Sequence, residues 1–200
     1  MASTVSLKLG NAPMATEVGA LTELGKDYEI VDGQLVEEPP LGAHELWIAS
    51  FIARVYSRFD QDDQIGQMIV EMIFDLQSNP RLRRRPDVAF VSAQRWPIDK
   101  PAPSEAAWDI VPDLAVEIIS PTDLINDLMK KIEEYFAAGV RLVWVVYPKY
   151  RKIYVYKSLT SIIVLDQNGT LDGGEIIPGF AIQVDKIFKT EGNDSKPTIM

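Results

Sequence analysis

A short strand that is apolar on both faces but carries one carboxylate is the feature that most constrains how this chain folds. The side chains of residues 114–118 (Leu-Ala-Val-Glu-Ile) alternate between two faces, and only Glu117 is charged. Apolar residues on both faces are typical of a strand in a sheet that is covered on both sides. There an ionised carboxylate is costly unless a metal ion, a lysine or an arginine pairs with it. The strand therefore predicts an α/β fold and a partner for Glu117.

A helix is predicted directly after this strand. Ser120 is suited to cap the helix and Pro121 to occupy its first position, while Asp123 stands close to where a capping box places its acid. Gly139 is suited to end the helix, because glycine readily adopts the left-handed conformation that follows a last helical turn. The pattern therefore predicts a helix over residues 121–138.

Lys131 falls within the apolar stripe of the predicted helix. At about 100° per residue it shares a face with four apolar residues, whereas Lys130 points away from that face. A lysine on the face that packs against a sheet either snorkels to the rim of the core or meets a buried acid. The presence of Glu117 on the preceding strand favours the second explanation. The apolar residues of the stripe are Leu124, Leu128, Tyr135 and Ala138.

Composition limits the chemistry open to such a site. The chain has 200 residues, no cysteine and one histidine, His44, which excludes a disulfide framework, a thiolate metal site and a cysteine nucleophile. No apolar run reaches the length of a membrane span and no leader is visible, so we expect a cytoplasmic protein that does not cross a membrane. The net charge of -9 argues against strong unspecific binding to nucleic acid, although it is compatible with a local basic patch.

The remaining pattern predicts a single α/β domain with a mixed sheet, in which a right-handed crossover joins the two buried strands. We expect a loosely ordered lead-in over residues 1–20, the domain over 21–188 and a flexible tail over 189–200. In chain order the domain contains a hairpin around Asp32-Gly33, a helix over 43–59, and strands over 67–76, 88–91, 114–118 and 141–146. A series of hairpins follows over 152–165 and a turn at 167–169, and segments over 176–184 close the fold.

A second candidate acid follows the most basic segment of this acidic chain. Residues 81–85 read Arg-Leu-Arg-Arg-Arg, and they lead through Pro86 to Asp87 and a short apolar strand. Taken alone, Asp87 is explained as a carboxylate that hydrogen-bonds local backbone groups. Taken alone, the arginines are explained as a solvated loop or a set of surface ion pairs.

Several spaced motifs occur along residues 21–188. They are the Asp32-Gly33 hairpin, His44, residues 85–90 (Arg-Pro-Asp-Val-Ala-Phe), 112–121 (Pro-Asp-Leu-Ala-Val-Glu-Ile-Ile-Ser-Pro), 131–140 (Lys-Ile-Glu-Glu-Tyr-Phe-Ala-Ala-Gly-Val), the Trp144 strand and 178–180 (Pro-Gly-Phe). In this order they resemble the Uma-two family of putative restriction endonucleases, which belongs to the PD-(D/E)xK nuclease superfamily. The resemblance implies a restriction-endonuclease-like fold, in which a mixed central sheet is flanked by helices and extended by N-terminal and C-terminal hairpins.

Carried onto this chain, the resemblance implies a metal site. Asp87 and Glu117 would be its carboxylate ligands and the backbone carbonyl of Ile118 a further ligand. Many superfamily members place a catalytic lysine at the position of Ile119, and Lys131 on the helix would take over that role here. Hard carboxylate oxygens suit Mg²⁺ or Mn²⁺.

The resemblance also implies residues at the margin of this site. Glu37 on the hairpin matches an added acid of the superfamily, and Glu38 is the less expected choice because Leu35 and Glu37 share a face. His44 matches a recurring family position, either at the site edge or in a structural role.

The implied function is an endonuclease that uses a divalent metal to hydrolyse DNA. Lys131 would orient the attacking water or steady the phosphate. By our own inference, Arg83, Arg84 and Arg85 would hold the phosphate backbone. The alternatives are an inactive nuclease-fold binding module and a metal-dependent hydrolase of another phosphate substrate. A homodimer is a plausible means of cutting both strands of a duplex.

Overall fold

The computed structural model describes residues 28–62, 64–78, 81–121 and 123–189. The lead-in predicted over 1–20 and all but the first residue of the tail predicted over 189–200 lie outside this part. Among the described residues, no helix is both long and apolar enough to cross a membrane.

The secondary structure follows the predicted order of elements. The described residues form strands β1 to β12, helices α1 to α3 and one 3₁₀ turn over Pro148–Tyr150. Their bounds are β1 Tyr28–Val31, β2 Gln34–Glu37, α1 Ala43–Phe59, β3 Gly66–Val70, β4 Phe74–Ser78, β5 Arg81–Arg84, β6 Val88–Ser92, β7 Leu114–Ile118, α2 Ile125–Ala138, β8 Leu142–Tyr147, β9 Lys152–Ser158, β10 Ser161–Leu165, β11 Thr170–Gly173, β12 Ile177–Gln183 and α3 Val184–Ile187.

A six-stranded mixed sheet forms the centre of the fold. Its strand order is β10-β9-β8-β7-β6-β3, so the strand that carries Glu117 lies inside the sheet. Strand β7 pairs parallel with β8 and antiparallel with β6. Helix α2 connects the parallel pair, as expected, because parallel neighbours require a crossover. The predicted mixed α/β architecture is confirmed.

Each face of this sheet packs against a different helix. The α1 side is an apolar core that also receives α3 and the β11–β12 hairpin, and the α2 side is a second core. Because successive strand residues point to opposite faces, β7 contributes to both cores. From β7, Leu114, Val116 and Ile118 pack on the α1 side and Ala115 on the α2 side.

A second sheet brings the N-terminal hairpin to the domain. Its strand order is β2-β1-β5-β4, and Asp32 and Gly33 form the predicted turn with φ values of 52° and 74°. Strand β1 joins β5 where Ile30 is opposite Arg83. Because β5 leads directly into β6, this sheet delivers the hairpin to the end of the central sheet where β6 begins.

Helix α2 begins later than predicted. It starts at Ile125, and Leu124 before it is extended and 65% exposed, so Leu124 does not belong to the buried stripe. The Ser120 hydroxyl donates to the Asp123 carboxylate (2.8 Å), which accepts the Ser120 backbone N–H as well (2.8 Å). The two side chains therefore satisfy each other in a turn before the helix instead of capping its first amides. The predicted end is confirmed, since Gly139 is left-handed with φ 102°.

Two strand predictions also need correction. The strand predicted over residues 67–76 is divided into β3 and β4 by Glu71, whose φ of 51° turns the chain. The basic segment around Arg83 is not a loop. It forms strand β5, where it pairs with β4 on one side and β1 on the other.

Candidate active site

Strand β7 and helix α2 bring the two residues that the sequence singled out into contact. Glu117 points to the α2 side, where Lys131 and Tyr135 lie one helical turn apart. The Tyr135 hydroxyl donates to one Glu117 carboxylate oxygen (2.5 Å), and Lys131 Nζ lies 3.5 Å from the other. Burial raises the pKa of Glu117, against the opposing effects of Lys131 and of the tyrosine hydroxyl. The pairing of the buried strand acid with the helix lysine is therefore present in the structure.

Asp87 lies on the same side of the central sheet as this pair, just before strand β6. Its carboxylate accepts a hydrogen bond from the backbone N–H of Ile118, the last residue of β7. Burial raises the pKa of Asp87 well above its ordinary value, and the nearby Glu117 carboxylate raises it further. A half-buried carboxylate just before β6 and a buried carboxylate on β7 thus lie close together.

Lys131 is surrounded by carboxylates. Its Nζ lies 2.8 Å from Glu38 Oε1, in addition to its contact with Glu117, and 3.6 Å from Glu29 Oε1. Burial by itself would lower the pKa of Lys131, but the three acids together raise it above its usual value. Lys131 is therefore a permanent ammonium ion at neutral pH. It can donate hydrogen bonds and neutralise charge, but it cannot act as a general base.

The acid that the hairpin supplies to Lys131 is Glu38 and not the expected Glu37. Glu37 is the last residue of β2, where it is opposite Tyr28 and its side chain is exposed. Because β2 ends there, the alternation of faces that favoured Glu37 no longer applies to the next residue. Glu38 turns out of the strand and reaches Lys131.

Glu29 is a further acid of this cluster and was not among the predicted site residues. It lies on β1 with no exposed surface. One carboxylate oxygen accepts from the Arg84 guanidinium and the other from the Arg85 backbone N–H (2.8 Å). A signal was available, because Glu29 is a single carboxylate in an otherwise apolar strand, as is Glu117.

The three arginines that were expected to hold phosphate contact groups of the chain itself. Arg83 pairs with Asp75 (2.7 Å). Arg84 is 5% exposed and lies between two glutamates, one on β1 and Glu134 on α2. Arg85 is buried, and its guanidinium donates to the Glu38 backbone carbonyl (3.3 Å). Arg84 of strand β5 and Arg85, the next residue, thus hold acidic segments of the site together.

His44, the remaining candidate, is the second residue of helix α1 and is exposed. The segment before this helix is tied to the site. The Leu41 N–H contacts the Glu71 carboxylate (3.5 Å), and the Glu71 N–H donates to the Asp87 carbonyl (3.1 Å). The segment before α1 is therefore connected through Glu71 to the backbone of Asp87, and a role of His44 at the site edge stays a prediction.

Comparison with known proteins identifies the family of this chain and structures of similar fold. Residues 16–185 match the sequence profile of the Uma2 family, described as putative restriction endonuclease. The chain belongs to the Uma2 family. A putative nuclease belonging to DUF820 from Anabaena variabilis, known from its crystal structure, has a similar fold. It is 18% identical, and the match covers 82% of this chain and 90% of that chain with a TM-score of 0.70. At this identity the likeness shows the fold. No curated protein matches the chain significantly.

The side chains present fit a divalent cation in this Uma2 protein. Within the described part of the chain, no group of three or more acidic or histidine side chains is arranged around a metal position. The fit rests instead on Asp87 and Glu117, whose mutual repulsion in a buried place is what a cation bound between them would relieve. The backbone of Ile118 adjoins Asp87 and is the third group at this position.

Proposed function

We propose that this Uma2 protein is an endonuclease that hydrolyses DNA phosphodiester bonds with a bound Mg²⁺ or Mn²⁺ ion. The observation that carries the proposal is the meeting of two carboxylates, the half-buried Asp87 and the buried Glu117, with the ammonium group of Lys131. Hydrolysis of a phosphodiester requires charge stabilisation around phosphoryl oxygens and an activated water. Carboxylates that hold a cation, next to a fixed ammonium group, are suited to supply both.

Asp87, Glu117 and the backbone carbonyl of Ile118 would hold the metal ion. Oxygen ligands of this kind favour Mg²⁺ or Mn²⁺ over softer metals. When bound, the ion would lower the pKa of a coordinated water and neutralise charge on the phosphate. Tyr135 would fix the rotamer of Glu117, because its buried hydroxyl donates to one carboxylate oxygen and leaves the other facing the site.

Lys131 would act as a cationic donor toward the water or a phosphate oxygen. Its raised pKa keeps it charged throughout the pH range in which such an enzyme is assayed. Glu29 and Glu38 would hold its Nζ near Glu117, so the ammonium group is oriented before substrate arrives.

The test is metal-dependent cleavage of plasmid and short single-stranded DNA by wild type and three site variants. We expect Asp87→Asn and Glu117→Gln to abolish cleavage, and Lys131→Ala to reduce it at least about 100-fold, the size of a lost transition-state donor. Lys130→Ala is the matched control, because Lys130 is the exposed neighbour on the same helix. Circular dichroism and thermal melting establish that each variant folds.

The pattern of losses separates the parts of the proposal. Loss with both acid variants but not with Lys131→Ala would keep the metal site and refute the role of the lysine. Absence of cleavage by wild type, with Mn²⁺ binding that depends on Asp87, would redirect the assay to other phosphate compounds. The net charge of -9 favours that second candidate. Neither cleavage nor metal binding would leave a nuclease fold that serves as a binding module.

For the cutting of both strands of a duplex, we propose a homodimer, in which each copy of the chain would cut one strand. Sedimentation of the protein with and without duplex DNA tests this, and a monomer on a duplex that is nevertheless cut on both strands would contradict it.

A further inference from the structure

Helix α1 carries a stripe of basic and aromatic side chains that the proposed catalytic site does not use. At about 100° per residue, the five residues fall within about 80° of one another, so they form one track along the helix. Four of them are exposed and the fifth, Phe51, is half-buried. This α1 stripe consists of His44, Trp47, Phe51, Arg54 and Arg58.

Arg54 and Trp47 form the centre of the stripe. The guanidinium carbon of Arg54 lies 5.8 Å from the centroid of the Trp47 ring and 5.7 Å from that of Phe51. Cation–π contacts of this kind restrain a long side chain before a ligand binds. Trp47 itself is 44% exposed, so a large aromatic surface lies beside a restrained positive charge.

Arg54 and Arg58 are the permanently charged residues of the stripe. Within the part of the chain that the structure describes, neither Arg54 nor Arg58 forms an ion pair with a carboxylate, in contrast to the arginines of β5. The one acid in the first turn, Glu45, lies about 100° around the helix from His44. A protein with a net charge of -9 thus keeps a positively charged track on one exposed face, where an anionic polymer is attracted locally.

The stripe begins a few residues after the hairpin acid of the proposed active site. Glu38, which contacts the site lysine, precedes the first residue of α1 by five positions. The intervening segment is tied through Leu41 and Glu71 to the backbone of Asp87. From His44 the stripe extends along the helix for about 21 Å, since each helical residue advances about 1.5 Å.

We propose that the α1 stripe binds a single-stranded segment of nucleic acid that leads to the catalytic site. Arg54 and Arg58 contact phosphates, and Trp47 stacks on a base. A base that is free of its duplex partner presents an open ring face to an aromatic side chain, which is why the stripe fits a single strand. The direction of the track toward the site rests on the function proposed above, but the binding itself does not.

The test is fluorescence anisotropy of a labelled oligothymidine in EDTA, where metal-dependent cleavage cannot occur. We expect Trp47→Ala to weaken binding about tenfold, the loss of one stacked base. Arg54→Gln and Arg58→Gln should each weaken binding. Each should also reduce the magnitude of the negative slope of log K against log salt by about 0.7, the value for one phosphate contact on a single strand.

A cation–aromatic pair elsewhere on the surface provides the matched control. Lys149 Nζ lies 5.8 Å from the Tyr150 ring centroid, and Tyr150 is 65% exposed, but neither residue lies on α1. Lys149→Gln and Tyr150→Ala should bind the oligonucleotide as wild type does. Thermal melting of all variants checks that these surface substitutions leave the fold intact.

Three outcomes would overturn the inference. The first is wild-type binding by the stripe variants, and the second is an equal loss in the control variants. The third is a change from dimer to monomer caused by Trp47→Ala in sedimentation, which would make the stripe an interface between two copies of the chain. Stripe-dependent binding without any DNA cleavage would refute the proposed catalysis alone.

Discussion

The two faces of strand β7 alternate residue by residue, yet they have different energetics. Ile118 packs into the apolar α1-side core together with Trp144. Glu117, one residue earlier, meets Lys131 and Tyr135 on the α2 side. Burial of apolar side chains stabilises the fold, whereas a buried charged cluster is costly in desolvation and is destabilised when one partner is removed. The apolar face of β7 therefore stabilises the fold, and this stabilisation offsets the free-energy cost of the charged cluster on the other face.

The apolar face should show the largest loss of stability. Trp144 is fully buried and stacks on Phe180, with ring centroids 6.4 Å apart. We expect Trp144→Ala to lower the free energy of unfolding by about 4 kcal/mol, because it leaves a large cavity between sheet and helix. Urea denaturation measures the loss. A loss below about 1 kcal/mol would contradict the assignment of stability to this face.

A substitution on the charged face should lower the free energy of unfolding by less, and the size of this effect should depend on pH. Lys131→Met leaves the surrounding glutamates without their shared cation, which we expect to cost about 3 kcal/mol near pH 8. Near pH 5 the loss should shrink, since Glu117, whose pKa is raised, binds a proton more readily there. Urea denaturation at both pH values tests this. An equal loss at both would indicate that only the packing of the lysine stem matters.

Asp87 should make the wild-type protein less stable at high pH. Its pKa in the folded state lies well above the ordinary value of 3.8, so the folded state binds more protons than the unfolded state. Stability linked to Asp87 is therefore greatest below pH 3.8 and is lost as the pH rises from 3.8 to the folded-state pKa.

Asp87→Asn should remove this dependence. The asparagine carbonyl can still accept from Ile118, so we expect the variant to gain about 1 kcal/mol over wild type at pH 8 and less at pH 4. Urea denaturation across this pH range measures the difference between the two proteins. If that difference does not change with pH, burial and the nearby Glu117 carboxylate do not destabilise the ionised form of Asp87.

The smallest effect is expected one residue away from the site lysine. Lys130 lies on the exposed side of the same helix, 2.9 Å from Asp32. An exposed ion pair contributes little, so Lys130→Ala should change the free energy of unfolding by less than about 0.5 kcal/mol. Urea denaturation beside Lys131→Met gives the comparison. A loss above about 1 kcal/mol would mean that the hairpin depends on this surface contact.

Sequence periodicity was sufficient to predict the elements in which apolar residues recur on one face. Helix α1 has the predicted bounds of 43–59, and Lys131 was recognised because a charged residue within an apolar helical stripe is conspicuous. The predicted start of α2 was wrong, because a capping pattern does not reveal whether the Ser120 side chain will form a hydrogen bond with a helix amide or with the Asp123 side chain.

The charged cluster was only partly predictable, because its members come from separate elements. Glu38 follows the end of β2, where face alternation carries no information. The burial of Arg84 depends on Glu29 and Glu134, which are distant in the chain and belong to different elements. Sequence patterns indicate which face a residue occupies within an element, but not which elements meet. For that reason Arg84 was assigned to phosphate and not to the acids that surround it.

The long sequence separations within this cluster have a consequence for biosynthesis. Glu38 precedes Lys131 by 93 positions, and Glu29 precedes Arg84 by 55. Because the ribosome releases the N-terminal hairpin first, its two acids emerge long before the cations that neutralise them. Contacts this distant in sequence form slowly. The proposed catalytic centre is therefore completed only after α2 has been synthesised, and a nascent chain that ends before this helix lacks Lys131 and has no complete centre with which to cut nucleic acid.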